Sequence, residues 1–477
     1  MTSHVSRPAS RALGTALILT VQLMLILDMT VVNVALPDIR TGLGFTPSAL
    51  SWVLNAYTLA FGGLLLLGGR LGDVFGRRRT FMVGLAVFTL GSLAGGLAPT
   101  AGMLVGSRAL QGVGAAIAAP SVLALLSTSA PDARARTKVL ALFSAVSSAG
   151  GSIGLILGGV LTGYASWRWS LFINVPLGLL VLALVPRHVA ETDRQRGHFD
   201  VLGAVTATLG SAALVYGFIH APDNGWTAPG TLLAFAVAVV LLTILVVHER
   251  RTSAPLLPAE VLRSRTRLGA IAVMALFIGA QFSLFFFLVQ FMQAVLGYGA
   301  LESGFAFLPL TALIFATSRV TPRLVQRFGT RPLLLTGTVL VGAANLWLVG
   351  IGQDSTYLGR LIVPLMLVGI GAGLTFMPVT VTVLDGVEPV HAGSASGMLQ
   401  MSQQVGGSLG LAVLVTVYAS HNSPGDVVAG MPQTFAVGAG LLAVAFAVAL
   451  FVLRPLRQPR PDREVAAELE EDVELAA

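Results

Sequence analysis

Apolar residues fill the chain in long blocks, and polar residues gather in short breaks between them. Fourteen blocks can be marked, near residues 12–36, 49–69, 80–98, 101–126, 138–163, 168–186, 200–220, 227–248, 268–292, 303–321, 332–351, 359–384, 392–419 and 433–453. Most come close to the ~20 residues that an α-helix needs to cross a bilayer. Apolar/polar alternation of the membrane β-barrel kind is absent. In lipid every backbone N–H and C=O must be satisfied within the segment, so each block is read as a helix. The pattern predicts an all-α integral membrane protein with fourteen transmembrane helices.

Composition supports this reading. Of the 477 residues, 55% are hydrophobic and 11% charged, and the mean hydropathy is +0.83. A soluble globular chain carries about 25% charged residues. There is no cysteine, which removes disulfides, thiol catalysis and Cys-ligated zinc. The histidines, His4, His188, His198, His220, His248, His391 and His421, show no metal-ligand spacing. Lys138 is the one lysine and follows Thr137, so the Gly-Lys-Ser/Thr core of a phosphate-binding loop is missing. No cofactor is expected, and any transport would draw on an ion gradient.

The net charge of +7 does not point to nucleic acid, because the basic residues sit in the breaks. One set of alternate breaks holds Arg7, Arg11, Arg70, Arg77, Arg78, Arg79, Arg134, Arg136, Lys138, Arg187, Arg194, Arg196, Arg250, Arg251, Arg263, Arg265 and Arg267. It continues with Arg319, Arg323, Arg327, Arg331 and the residues from Arg454 on. The other set holds little beyond Arg40, Arg168 and Arg360. Positive-inside bias therefore predicts a multi-pass protein of the cell membrane with both termini cytoplasmic. Arg7 and Arg11 precede the first block as in a secretion leader, but the block is too long and too polar at Asp28 and Asn33, so it is read as an uncleaved helix.

The chain resembles itself at an offset of about 256 residues. GGSIGL at Gly150–Leu155 returns as GGSLGL at Gly406–Leu411, and GRLGDVFGRRR at Gly69–Arg79 has a degraded partner in PRLVQRFGTRP at Pro322–Pro332. Blocks 1–6 thus map onto blocks 9–14, with blocks 7 and 8 inserted between. The predicted organisation is a cytoplasmic N-terminus (1–11), a six-helix bundle (12–186), a linker carrying two extra helices (187–267), a second six-helix bundle (268–453) and a cytoplasmic tail (454–477). Parallel repeats of this kind build secondary transporters.

Polar residues inside the blocks are the candidate functional groups. Asp28 lies in the first block, where an ionised carboxylate costs about 2.5–3.5 kcal/mol. It either reaches the headgroups or faces a watery cavity and exchanges protons or cations, and the second reading is preferred. In that register it falls opposite Phe285, so the acid belongs to one half. Arg108 either faces the protein interior or snorkels to the outer interface. Gly150, Gly154, Gly158 and Gly159 suit close helix packing. In GRLGDVFGRRR, Gly69 and Gly76 permit a tight reversal, Asp73 can accept hydrogen bonds, and Arg77 with its neighbours anchors the loop. FSLFFFLVQFMQ, at Phe282–Gln293, forms either an adaptable apolar wall for ligands or plain packing. Candidate cavity residues are Gln22, Asn33, Asn55, Tyr57, Gln111, Gln281, Phe285, Gln290, Gln403 and Gln404.

These strings carry a family resemblance. GRLGDVFGRRR is similar to the signature loop of the major facilitator superfamily, in which it latches the cytoplasmic side. The resemblance assigns that gate to Gly69, Asp73, Gly76 and Arg77. RALQGVGAAIAAP (Arg108–Pro120) resembles the fourth-helix motif, whose arginine is linked to proton transfer. GGSIGLILGGVLTG (Gly150–Gly163) resembles the fifth-helix motif of drug antiporters, except that Leu155 replaces a proline. LDMTVVNVALP (Leu27–Pro37), SWVLNAYTLAFGGLLLLGGRLGD (Ser51–Asp73) and WRWSLFINVPLG (Trp167–Gly178) narrow the likeness to the fourteen-span drug:proton antiporters. Where that family often has an arginine in the thirteenth helix, this chain has Gln403 and Gln404.

The resemblance implies a major facilitator fold, two six-helix bundles plus two central helices. It implies a proton-coupled antiporter, working as a monomer, that exports small amphipathic compounds such as drugs and antibiotics. Asp28 and Arg108 would couple protons, with the proton gradient as energy source. The alternatives are an exporter of one endogenous metabolite or a proton-coupled importer. A membrane enzyme or sensor would call for paired carboxylates, a histidine cluster or a soluble catalytic domain, and none is present.

Overall fold

The computed structural model describes residues 8–129, 133–191, 200–252, 264–387, 392–421 and 426–453. Among them there is no strand. The long helices are α1 (Pro8–Leu43), α2 (Trp52–Phe75), α3 (Arg77–Gly96), α4 (Ala101–Ser129), α5 (Ala133–Tyr164), α6 (Asn174–His188) and α7 (Val201–Asn224). They continue with α8 (Pro229–Glu249), α9 (Arg265–Ala294), α10 (Leu308–Phe328), α11 (Thr330–Leu348), α12 (Ile362–Leu384), α13 (Ala392–His421) and α14 (Met431–Phe451). Short turns lead into α2 (Pro47–Leu50), α6 (Trp169–Phe172), α10 (Ala300–Ala306) and α12 (Tyr357–Leu361). Among the described residues, 12 helices are long and apolar enough to cross a membrane. The two expected spans outside that set are α5 and α13, of 32 and 30 residues. The C-terminal tail lies outside the described residues.

The packing of α1–α6 recurs in α9–α14. Helix α1 packs along α5, α2 and α3 pack on α4, and α6 packs on α1 and α3. In the same way α9 packs along α13, α10 and α11 pack on α12, and α14 packs on α9 and α11. The repeated glycine string is the contact itself. Gly150 meets Leu23 and Ile26 of α1, Gly154 meets Thr30, and a Cβ on Gly158 would lie 2.9 Å from Val31 Cα. In the second half a Cβ on Gly406 would lie 2.5 Å from Ala275 Cα, and Gly410 sits against Gly279. Lipid tails are as apolar as leucine, so burying apolar area does not drive helices together here, and close backbone approach supplies the attraction.

The degraded copy of GRLGDVFGRRR preserves two features. Gly76 and Gly329 both have positive φ, +98° and +81°, where a side chain would be strained. Two residues on, Arg78 Nη1 donates to Val189 O (3.1 Å) beyond the end of α6, and Arg331 Nη2 donates to Leu450 O at the end of α14. Each arginine satisfies carbonyls that a helix C-terminus leaves open.

Two helix ends differ from the sequence reading. Helix α2 continues to Phe75 rather than residue 69, with Gly68 and Gly72 seated on α4. Helix α10 continues to Phe328 rather than residue 321. Arg323 and Arg327 therefore occupy its last turns, after Arg319, instead of a loop, as arginine's high helix propensity allows.

Helix α7 lies against α2 and α13, and α8 packs along α7. Protein covers 83% of the most apolar stretch of α2 but only 17% of that of α8. Asp223 near the end of α7 accepts a hydrogen bond from Ser48 Oγ, and Thr416 Oγ1 of α13 donates to Phe218 O (2.7 Å).

We expect Gly406→Val to destabilise the protein by about 1–3 kcal/mol through overpacking. Gly440→Ala, which has open space around it, should be neutral or slightly stabilising. Thermal unfolding in detergent, followed by tryptophan fluorescence, separates the two.

Candidate functional site

Helices α1, α2, α3, α4 and α6 converge on one buried polar cluster. Asp28 of α1 and Arg108 of α4 form an ion pair, each 1% exposed. Asp28 Oδ1 also accepts from Gln111 Nε2 (2.9 Å) and Asn174 Nδ2 (3.0 Å). Gln111 sits one turn after Arg108 on the same face, and its Oε1 accepts from Arg108 Nη1 (2.9 Å). Its amide also donates to Ser92 Oγ of α3 (2.7 Å). Arg108 Nε donates to Val53 O (2.9 Å), and Arg108 Cζ lies 4.5 Å over the Tyr57 ring of α2. A carboxylate and a guanidinium taken out of water need such satisfaction, since the desolvation cost rivals their mutual attraction.

This corrects the sequence reading of Asp28. In this structure it does not face a watery cavity but is enclosed and fully partnered. The chemical unit is the pair, not a lone acid.

Gln111 and Tyr57, read as cavity residues, are brought into the cluster instead. Asn174 and Ser92 were not foreseen. An amide opening an otherwise apolar span (INVPLG) is a usable signal for Asn174, whereas Ser92 gives none.

The loop between α2 and α3 is placed as follows. Gly69 lies near Pro120, and Gly76 turns the chain. Arg77 is half-buried, its Cδ 2.8 Å from where a Gly72 Cβ would be. The Asp73 side chain lies outside the described residues. Glu191, unnoticed in the sequence, accepts from the backbone N–H of Arg78 (2.9 Å) and Arg79 (3.2 Å) at the start of α3. A carboxylate there suits the helix dipole.

The remaining cavity candidates are dispersed. Asn55 Oδ1 accepts from Ser408 Oγ (2.8 Å), Ser408 Oγ lies 2.7 Å from Thr58 Oγ1, and Gln404 packs on Gly62. These contacts form the seam between α2 and α13. Asn33 Oδ1, Asn55 Nδ2, Tyr57 Oη and Gln404 Oε1 are buried without a partner among the described residues. Gln290 folds back onto Phe286 O (3.3 Å), Gln281 is buried, Phe285 packs on Phe307 at 5.1 Å, and Gln22 and Gln403 are half-buried. A second seam forms on the other side. A Cβ on Gly159 would lie 2.6 Å from Leu301 Cα, and one on Gly304 2.5 Å from Leu155 O. No cluster of three or more metal-ligating side chains occurs among the described residues.

Residues 18–411 match the model of the Major Facilitator Superfamily. The chain belongs to that superfamily. The cephamycin export protein CmcT of Amycolatopsis lactamdurans is 39% identical over 468 residues, 96% of each chain. The puromycin resistance protein pur8 of Streptomyces alboniger is 41% identical, covering 92% of this chain and 89% of its own length. Among solved major facilitator structures, the nucleoside transporter NupG superposes with a TM-score of 0.64 at 14% identity, over 93% of this chain and all of its own. A POT peptide transporter gives 0.67 at 16% identity, over 92% of this chain and 94% of its own. At such identities these two show the fold alone. The protein is thus a multi-pass membrane transporter of major facilitator fold, not an enzyme.

Glu191→Ala should cost about 1 kcal/mol of stability by uncapping α3. Glu191→Gln keeps an acceptor and should cost less, because its half-exposed ion pairs with Arg78 and Arg79 contribute little. Unfolding midpoints of the two variants check this order.

Proposed function

We propose that this chain exports small amphipathic organic compounds, antibiotics among them, in exchange for protons. The observation that carries the reading is the likeness, over nearly the full length, to proteins named for antibiotic export and resistance. The narrower version, one antibiotic rather than many, is favoured by the single compounds in both relatives' names. In this reading α5 and α13 complete fourteen crossings, and both termini face the cytoplasm. The 12–186 and 268–453 bundles rock about the seams as a monomer, and Gly69, Asp73, Gly76 and Arg77 latch the cytoplasmic side. Cargo draws on the amide atoms left without a partner among the described residues, Asn33 Oδ1, Asn55 Nδ2 and Gln404 Oε1.

Proton coupling is assigned to Asp28 and Arg108. The pair is shut in the state described above, so the reading requires it to open to water in another. Protonation neutralises Asp28, frees Arg108 and loosens α1 from α4; deprotonation restores the pair. A lone buried arginine is costly, so Asp28→Asn is to be compared with Asp28→Asn/Arg108→Gln, which removes both charges.

Both variants should lower protonophore-sensitive efflux to background in a pump-deficient cell, the double variant with normal membrane abundance. Efflux undiminished in the double variant would refute the coupling role. Gly159→Leu places bulk against the backbone of Leu301 between the bundles, so it should abolish export while the protein still elutes as a folded monomer.

A further inference from the structure

We propose that the arginine stripe on α10 holds the phosphate headgroup of an anionic phospholipid, at the membrane face where α10 ends. Leu310 and Leu313 of this helix pack on Gly369, and Ile314 and Thr317 pack on Gly373. Thr321 Oγ1 donates to Gly373 O (3.0 Å). These residues define the side turned to α12. Arg319 lies midway between Thr317 and Thr321 in sequence, which puts it on the opposite side of the helix. Arg323 and Arg327 follow at one-turn intervals, and all three are exposed.

None of the three arginines is ion-paired among the described residues. Two guanidiniums lie over rings instead, Arg319 over Phe315 (4.2 Å) and Arg327 over Phe328 (5.2 Å). Stacking on a ring leaves the N–H edge open for a planar, bidentate partner, the geometry that phosphate fits. Arg319 is nine residues before Phe328, roughly 14 Å along the helix axis, so the three arginines reach from the helix end back towards its apolar stretch.

The order of residues matches an anionic amphiphile. On the same side, Leu308 and Phe315 are exposed before the arginines begin. An acyl chain would lie along these and a charged head would meet Arg319 and Arg323. The stripe is not a by-product of the internal repeat, because the aligned residues of α2 are Leu66, Arg70 and Val74. Anionic headgroups gather at basic helix faces near the membrane surface. The proposal rests on α10 crossing the bilayer and not on proton exchange, so either can fail alone.

The test uses the full chain purified into nanodiscs of phosphatidylcholine alone or mixed with phosphatidylglycerol. Native mass spectrometry then reads the lipid retained on release. Wild type should retain phosphatidylglycerol over phosphatidylcholine, with about a fivefold loss of preference for each arginine removed in Arg319→Gln and Arg323→Gln. Arg319→Lys/Arg323→Lys should keep part of the preference, and Arg40→Gln, at the other end of α1, all of it. Circular dichroism reports whether each variant is folded. Equal retention of both lipids by wild type, or undiminished preference in Arg319→Gln/Arg323→Gln/Arg327→Gln, would overturn the proposal. So would displacement of the lipid by a soluble anionic drug whose export fails in the same variants, since the stripe would then be a cargo site.

Discussion

One buried ion pair organises the first half of this transporter. Asp28 and Arg108 come from α1 and α4, and the groups that make their burial tolerable come from α2, α3, α4 and α6. Each partner is therefore a constraint on helix position as well as a ligand. Among the described residues the second half shows no buried ion pair of this kind. There α9 presents Phe277, Phe286, Phe287 and Phe291 to a packed interior, with Phe287 against Tyr418 at 4.9 Å and Phe435 at 6.5 Å. The repeat thus conserves helix packing but not the polar cluster.

Around these dissimilar interiors the same device joins helices in both halves. Gly158 on Val31 and Gly406 on Ala275 bring backbones into direct contact. Contacts of this kind are short-ranged and rigid, and they fix α1 to α5 and α9 to α13 as units. Contacts across the halves add side-chain hydrogen bonds to the same device: Ser408 with Thr58 and Asn55, and Gln293 donating to Val34 O (3.1 Å), beside Gly159 on Leu301 and Gly304 on Leu155 O.

Much of this was legible in the sequence, because lipid makes the pattern strict. Long apolar blocks gave the helices, and GGSIGL with GGSLGL gave the repeated pairing. The costly residues Asp28 and Arg108 stood out as candidates, and the fold brings the two together. What the sequence hid was partnership. Nothing in spacing showed that Asp28 and Arg108, 80 residues apart, would meet, and so the acid was read as open to water. Gln111 and Tyr57 look like cavity residues when their neighbours are unknown. Glu191 follows a span as any loop acid would, and only the fold reveals the α3 terminus beneath it. Arg323 and Arg327 of α10 were read as a loop because charge outweighed helix propensity in marking the end of a span.

The two inserted helices break the symmetry of the seams. Helix α7 meets both α2 and α13, with Ser48 bonded to Asp223 on one side and Thr416 to Phe218 O on the other. The α2–α13 seam is thus backed along its length by a third helix. Thr208 packs into Gly63, and Leu59, Val215, Ile219 and Ala412 form a small core between the three. At the opposite seam, between α5 and the turn before α10, the closest approaches among the described residues are at Gly159 and Gly304, and the face of α10 turned from α12 is exposed. A two-fold pair of bundles would treat its two seams alike; here the inserted helix α7 lies against the α2–α13 seam, so the insertion itself makes the two seams unequal.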